Sequence, residues 1–220
     1  MIGAFTVDVV SDVVCPWCYI GKRRLEAALA RLAETNPELP VQVRWHPFQL
    51  NPDLPAAGIS RQSYVETKFG GPRGAGEVYA RVGRAGKTVG IDFAFDAIAH
   101  QPNTLDAHRL IAWAQQRPEG DPDALVERLF RAFFLEGGPI GERDALARLA
   151  ADAGYDEADA RAFLASGEMV SAVADADRRA RELGVSGVPF FIFDGTTAVS
   201  GAQEPEALLE AIAQAQARAG

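Results

Sequence analysis

Cys15 and Cys18 are the only cysteines in 220 residues, and Pro16 and Trp17 separate them. Two thiols one helical turn apart can do chemistry that neither does alone. The outer one attacks a disulfide as a thiolate, and the inner one then displaces the captured partner. The residues around them favour that use. Phe5, Val7 and Val9 alternate with polar neighbours before the pair, as in a half-buried strand. Leu25, Ala28, Leu29 and Leu32 follow at helical spacing up to a break at Asn36-Pro37. Cys15 is therefore expected at a strand-to-helix junction, with Pro16 in the first turn, where its missing N–H costs nothing. Unpaired N–H groups and the positive end of the helix dipole favour a thiolate there. Cys18, one turn further in, is expected to be the buried partner.

A Cys-x-x-Cys pair has two other common uses. Zinc takes four protein ligands, or three and a water. Only His46, His100 and His108 are available to complete such a site, and none stands in a ligand pair. No metal is expected. Two inert core cysteines would also satisfy the bare composition, but the flanking strand and helix fit a redox pair better.

Beyond the first helix, Val41 to Trp45 alternates as a second strand, and prolines 47, 52 and 55 then break regular structure. Two strands joined by a helix imply a βαβ unit with a right-handed crossover. From about Ser60 to Arg181 the periodicity is helical. A flexible break is expected over Gly70–Gly76, an extended loop over Gly90–Ala99, and a cap at Asn103. Strand patterning returns at Phe190–Phe193 and Thr197–Ser200, joined by the turn dipeptide Asp194-Gly195, and a last helix runs from Pro205 to Ala217. The expected fold is α/β, a thioredoxin-like core of order β-α-β … α-β-β-α with an inserted α-helical domain. Residues 1–59 and 171–220 would form the core domain, and residues 60–170 the insertion.

Composition narrows the partners. A formal net charge of −8 argues against nucleic acid or an anionic membrane surface. No apolar run reaches the roughly 18 residues needed to span a bilayer. The first residues enter the strand without a basic region, apolar stretch or cleavage site, so a cytoplasmic protein with resting thiols is expected.

Four segments together resemble the disulfide-bond protein A (DsbA) family, and within it the FrnE-like cytosolic branch. They are Ser11 to Lys22, Pro47 to Pro52, Asn103-Thr104 with Ala107 to Leu110, and Gly187 to Phe193 with Ser200 to Gln203. The resemblance implies a thiol–disulfide oxidoreductase that needs no cofactor, with Cys15 and Cys18 catalytic. It also implies that Pro189 is a cis-proline facing the cysteines and that Val188 pairs with an extended substrate, with Pro16 and Trp17 on the rim. Phe48 and Asn51 would shape that rim or simply pack, and His108 reads as a core residue. Lys22, one turn beyond Cys18, reads as a solvated lysine. Periplasmic-type oxidases of the family carry histidine where Trp17 stands, which points away from a strongly oxidising potential. Substrates would be protein or glutathione-like thiols and disulfides, and the protein a monomer or homodimer. A related branch, the 2-hydroxychromene-2-carboxylate isomerase and kappa-class transferase group, offers an alternative: glutathione chemistry, with the carboxylate held near Ala202-Gln203.

Overall fold

The computed structural model describes residues 4–219. Strand β1 (Phe5–Ser11) leads through a four-residue segment into helix α1 (Pro16–Thr35), and β2 (Val41–Pro47) returns beside β1. The hairpin β5 (Phe190–Phe193) and β6 (Thr197–Ser200) and the helix α9 (Pro205–Ala219) close the core. The sheet order is β2-β1-β5-β6, with β1 parallel to β2 and antiparallel to β5. Register places Val10 opposite Phe190, so the strand that delivers the cysteines ends beside the start of β5. This is the thioredoxin-like arrangement with helices interposed after its second strand.

The two faces of the sheet are unequal. Phe5, Val7, Val9, Phe191 and Phe193 lie in the main core with Leu25 and Ala28 of α1 and Leu208 and Ile212 of α9. Val10, with Phe190 packed against it, lies in a much smaller cluster with Phe48 and Val185.

Between β2 and β5 lie α2 (Arg61–Phe69), α3 (Pro72–Lys87), α4 (Leu105–Ala114), α5 (Pro122–Phe134), α6 (Arg143–Asp152), α7 (Glu157–Ala165) and α8 (Val170–Glu182). Ser60, Asp121 and Asp156 cap their helices by accepting from backbone N–H groups in the first turn. The apolar core continues from the sheet into these helices. Tyr19 of α1 stacks on Phe130 of α5 at 5.0 Å, and its edge meets Phe93, which stacks on Phe95 at 4.9 Å. Phe95 stacks in turn on Tyr79 of α3 at 4.3 Å. No helix among the described residues is long and apolar enough to cross a membrane.

Four local expectations change. Strand β2 runs on to Pro47, because proline is tolerated where a sheet ladder ends. A two-stranded ribbon, β3 (Ile59–Ser60) with β4 (His100–Gln101), sits in the stretch read as free of strands. Its strands are too short for alternation to register. The break expected over Gly70–Gly76 is confined to Gly70-Gly71, since Pro72 starts α3. Gly74 lies inside that helix, and a Cβ there would come within 2.1 Å of the Phe69 carbonyl. Close packing of α3 on the end of α2, not flexibility, explains that glycine. Finally, Thr104 rather than Asn103 precedes α4; the Asn103 side chain accepts from Leu105 N–H at 3.0 Å.

Candidate functional site

Cys15 is the residue that caps α1, with extended backbone (φ −94°, ψ 112°), and Pro16 follows as the first helical residue. Asp12 O accepts the Cys15 N–H at 3.0 Å, and Cys15 O accepts from Cys18 at 3.0 Å and Tyr19 at 3.3 Å. The turn before the helix therefore holds the first sulfur at the end of β1.

Both cysteines are buried free thiols, Cys15 5% exposed and Cys18 1%. The expected order of exposure holds only by this small margin. Part of the cover over Cys15 comes from the segment before β5: the Cys15 Sγ donates to the Val188 carbonyl at 3.6 Å. Burial pushes the Cys18 thiol well up. The facing Cys15 sulfur, as hydrogen-bond partner and as charge, pushes it the same way; the Ser11 hydroxyl and the Asp12 backbone oppose.

The Val188–Pro189 peptide bond is cis. Pro189 packs on α1 at Gly21, where a Cβ would lie 2.8 Å from Pro189 Cγ and 3.2 Å from Phe191 Cζ. Glycine at position 21 thus lets β5 approach the helix that carries both sulfurs. The Pro189 carbonyl is fixed by Gly201 N–H at 2.8 Å. Pro16, Trp17 and Val188 are half-buried, and Trp17 and Val188 rest against the main core.

Asp12 is a component that residue type and spacing left without a role. Its carboxylate is wholly buried and accepts from Leu50 N–H at 2.8 Å, with His108 Nε2 3.2 Å from the other oxygen. A buried carboxylate demands such partners, so His108 is a core residue in placement, as expected, yet it belongs to the same polar group as the turn before Cys15. The only sequence signal for Asp12 is an acidic residue three positions before Cys15.

The remaining candidates lie at varying distances from this chemistry. Phe48 is buried, and its ring supports the Arg181 guanidinium 4.0 Å away. Asn51 turns its amide nitrogen inward without a partner among the described residues, and its side chain faces the Tyr64 hydroxyl. Lys22 overturns its reading as a solvated lysine. It is 2% exposed and ion-paired with Glu26, Asp123 at 2.8 Å and Glu127 at 3.6 Å. A helical residue facing α5 cannot reach water, and three carboxylates compensate its burial. Ala202-Gln203 is poorly made for a ligand carboxylate. Arg24 binds the Ala202 carbonyl, Gln203 Nε2 donates back to Ser200 O at 2.9 Å, and Glu204 and Glu206 bring negative charge to the start of α9.

Comparison with known proteins agrees with this architecture. Residues 6–213 match the model of the DSBA-like thioredoxin domain family. A probable DsbA oxidoreductase from Streptomyces coelicolor superposes with a TM-score of 0.84 at 30% identity, over 97% of this chain and 90% of that one. The cytosolic disulfide reductase DsbM of Pseudomonas aeruginosa shares the fold (TM-score 0.65, 24% identity, 98% and 100% covered), and its structure is also known with GSH. The uncharacterized protein YwbO of Bacillus subtilis is 27% identical over 96% of both chains. With a family match over nearly its whole length, the chain belongs to the DSBA-like thioredoxin domain family, whose members are disulfide oxidoreductases acting on thiols or disulfides.

Proposed function

We propose that this protein is a thiol–disulfide oxidoreductase of the FrnE-like branch, in which Cys15 attacks and Cys18 resolves. The observation that carries the reading is the unequal placement of two free thiols. Cys15 caps α1 against the Val188 carbonyl, at the helix end where backbone N–H groups lack partners within the helix. Cys18 lies one turn inside, its thiol raised by burial. In the first step the Cys15 sulfur forms a bond to one sulfur of a disulfide, and the other sulfur leaves as a thiolate. In the second, Cys18 loses its proton, bonds to Cys15 Sγ and releases the captured partner.

The half-buried Pro16, Trp17 and Val188 would receive the substrate, with Pro189 against the sulfurs and Val188 pairing with an extended protein segment or a glutathione-like thiol. Residues 1–59 and 171–220 would serve as the redox domain and residues 60–170 as its helical cover. With only these two cysteines in the chain, a disulfide would be catalytic rather than structural, in keeping with a cytoplasmic setting.

The test is capture of adducts under acid quench, read by non-reducing electrophoresis and mass spectrometry. Cys18→Ser should accumulate mixed disulfides on Cys15, and Cys15→Ser should accumulate none. Equal trapping by both variants, or by neither, would refute the ordered pair. Glutathione turnover on electrophiles that survives Cys18→Ser would favour the isomerase or transferase alternative instead.

A further inference from the structure

A small cavity of about 10 Å³ lies among β1, β2, α4 and α5, lined by Ser11, Trp45, His46, Pro47, His108 and Ile111, among others. That is the space one water molecule needs. Two of its polar groups are buried without an ordinary hydrogen bond to any described residue: Ser11 Oγ and Trp45 Nε1, on side chains each 5% exposed. Unpaired buried donors and acceptors are rare and costly. A water here would accept from the Trp45 indole N–H and bond the Ser11 hydroxyl.

The third polar wall is His108. Its Nε2 faces Asp12 Oδ1 at 3.2 Å, and Asp12 Oδ2 already accepts from Leu50 N–H. With Nε2 turned to the Asp12 carboxylate, Nδ1 is the ring nitrogen left to accept a proton. Ser11 stands on the other side: its hydroxyl acts to lower the Cys18 thiol against burial, without a formed hydrogen bond between them.

We infer that this cavity holds a water that carries the Cys18 proton to His108 when Cys18 attacks. This deepens the reading of Cys18 as the resolving thiol and rests on it. In the mixed disulfide, the Cys18 proton passes through the Ser11 hydroxyl and the water to His108 Nδ1. The freed sulfur pair bonds to Cys15 Sγ, the bond from Cys15 to the substrate sulfur breaks, and the substrate departs as a thiolate. Asp12 stabilises the imidazolium that results. In the opposite direction the same proton returns to Cys18 as it leaves the disulfide. Trp45, His46, Pro47 and Ala112 also line a groove of about 370 Å³, so solvent can re-equilibrate the proton away from Cys15.

Of the charged groups on elements packed against α4, Asp177 and Arg181 of α8 pair with each other at 2.9 Å. Cys18 and Asp12 come from the β1–α1 segment, and His46 from β2, held in turn by Asp8 at 2.6 Å. Asp106 and Arg109 on α4 pair with each other, and Arg109 turns to the end of α7. Val126, the contribution of α5 to the cavity, is apolar.

An aromatic disulfide that releases a coloured thiolate, dithiobis-nitrobenzoate, separates the two steps. Stopped-flow absorbance reads a first equivalent from attack by Cys15 and a second from resolution by Cys18. His108→Gln keeps one hydrogen bond to Asp12 but offers no basic nitrogen. The second phase should slow by about a hundredfold or more near pH 6.5, the lower end of what general-base removal costs. The deficit should close as pH rises and Cys18 ionises unaided, while the first phase stays within about twofold. Ser11→Ala should show the same pH-dependent loss to a smaller degree, and it decides the matter if His108→Gln does not fold. Equal slowing of both phases at all pH, or an unchanged second phase in folded variants, would overturn the inference. A wild-type protein with no second phase would overturn the ordered-pair reading as well; two normal phases without His108 dependence would overturn the relay alone.

Discussion

Two buried polar groups are tied to α1, and they are built on opposite terms. Around Lys22, charge is paired with opposite charge. The ammonium meets Glu26, Asp123 and Glu127, Arg23 meets Glu26 and Glu127, and Tyr19 donates to Glu127 at 2.8 Å. Around Asp12 and His108, Ser11 and Trp45 are left with capacity unused. These paired charges hold α1 to α5, with Glu127 Oε2 near Lys22 but left without a hydrogen bond. An unmatched group costs stability, and a fold tolerates it where something transient must bind or a proton must move. The contrast separates buried charges that build the scaffold from those that can take part in chemistry.

Removing the centre of the matched group should give the largest effect. Lys22→Met leaves Glu26, Asp123 and Glu127 facing one another, and breaking a buried pair in this way costs about 3–5 kcal/mol. Glu26 and Asp123 reach solvent, so about 2 kcal/mol is the better expectation. A lower urea midpoint at unchanged slope would register it, with both exchange phases intact. Loss of exchange in a folded Lys22→Met protein would erase the distinction drawn above.

Gly21→Ala probes the opposite side of the contrast. The added methyl meets Pro189 Cγ at 2.8 Å and must displace it or α1. Overpacking of this kind costs about 1–3 kcal/mol. Its signature should be kinetic: slower capture by Cys15, because the Val188 carbonyl moves with Pro189. An unaltered first phase would show that the β5 approach to α1 does not position the sulfur.

The smallest effect is in the pH dependence of stability. Burial would raise the Glu26 carboxyl, but Lys22 and Arg23 hold it below its ordinary value of 4.5. A carboxyl lowered by folding contributes stability above that value, and the contribution is lost as pH falls through the folded one. Asp123 works against this. Burial, with Glu26 and Asp121 nearby, raises it despite Lys22, so it favours the folded state most when protonated. The net acid limb should be shallow. Urea midpoints between pH 6 and 3 should flatten further in Glu26→Gln, and an identical acid limb in both proteins would remove Glu26 from the account.

Much of the scaffold was legible in the chain because its signals are local. The apolar run Phe190–Phe193 and the segment Thr197–Ser200 flank the turn dipeptide Asp194-Gly195, and the structure places strands at those same residues. The Cys15 junction was legible for the same reason: strand periodicity, Pro16 and helical periodicity follow one another. What could not be read depends on partners far along the chain. Lys22 looks like any exposed lysine until Asp123, 101 residues on, closes over it. His108 and Asp12 are 96 residues apart, and nothing in the spacing around either announces the other. Gly74 misled because glycine serves both mobile turns and close contacts, and only the packed helices distinguish them.

The aromatic column from Tyr79 through Phe95 and Phe93 to Tyr19 and Phe130 has a mechanical consequence. Tyr19 follows Cys18 directly in α1, so the ring that joins the interposed helices to the sheet sits on the same helical turn as the second sulfur. Swinging those helices outward would separate several ring pairs, each worth about 0.5–1.5 kcal/mol beyond its buried area. The cover is welded, not hinged. On the proposed function, an incoming chain would find its room by shifting side chains at the rim, and selectivity would fall to Trp17 and Val188 rather than to how far a jaw opens.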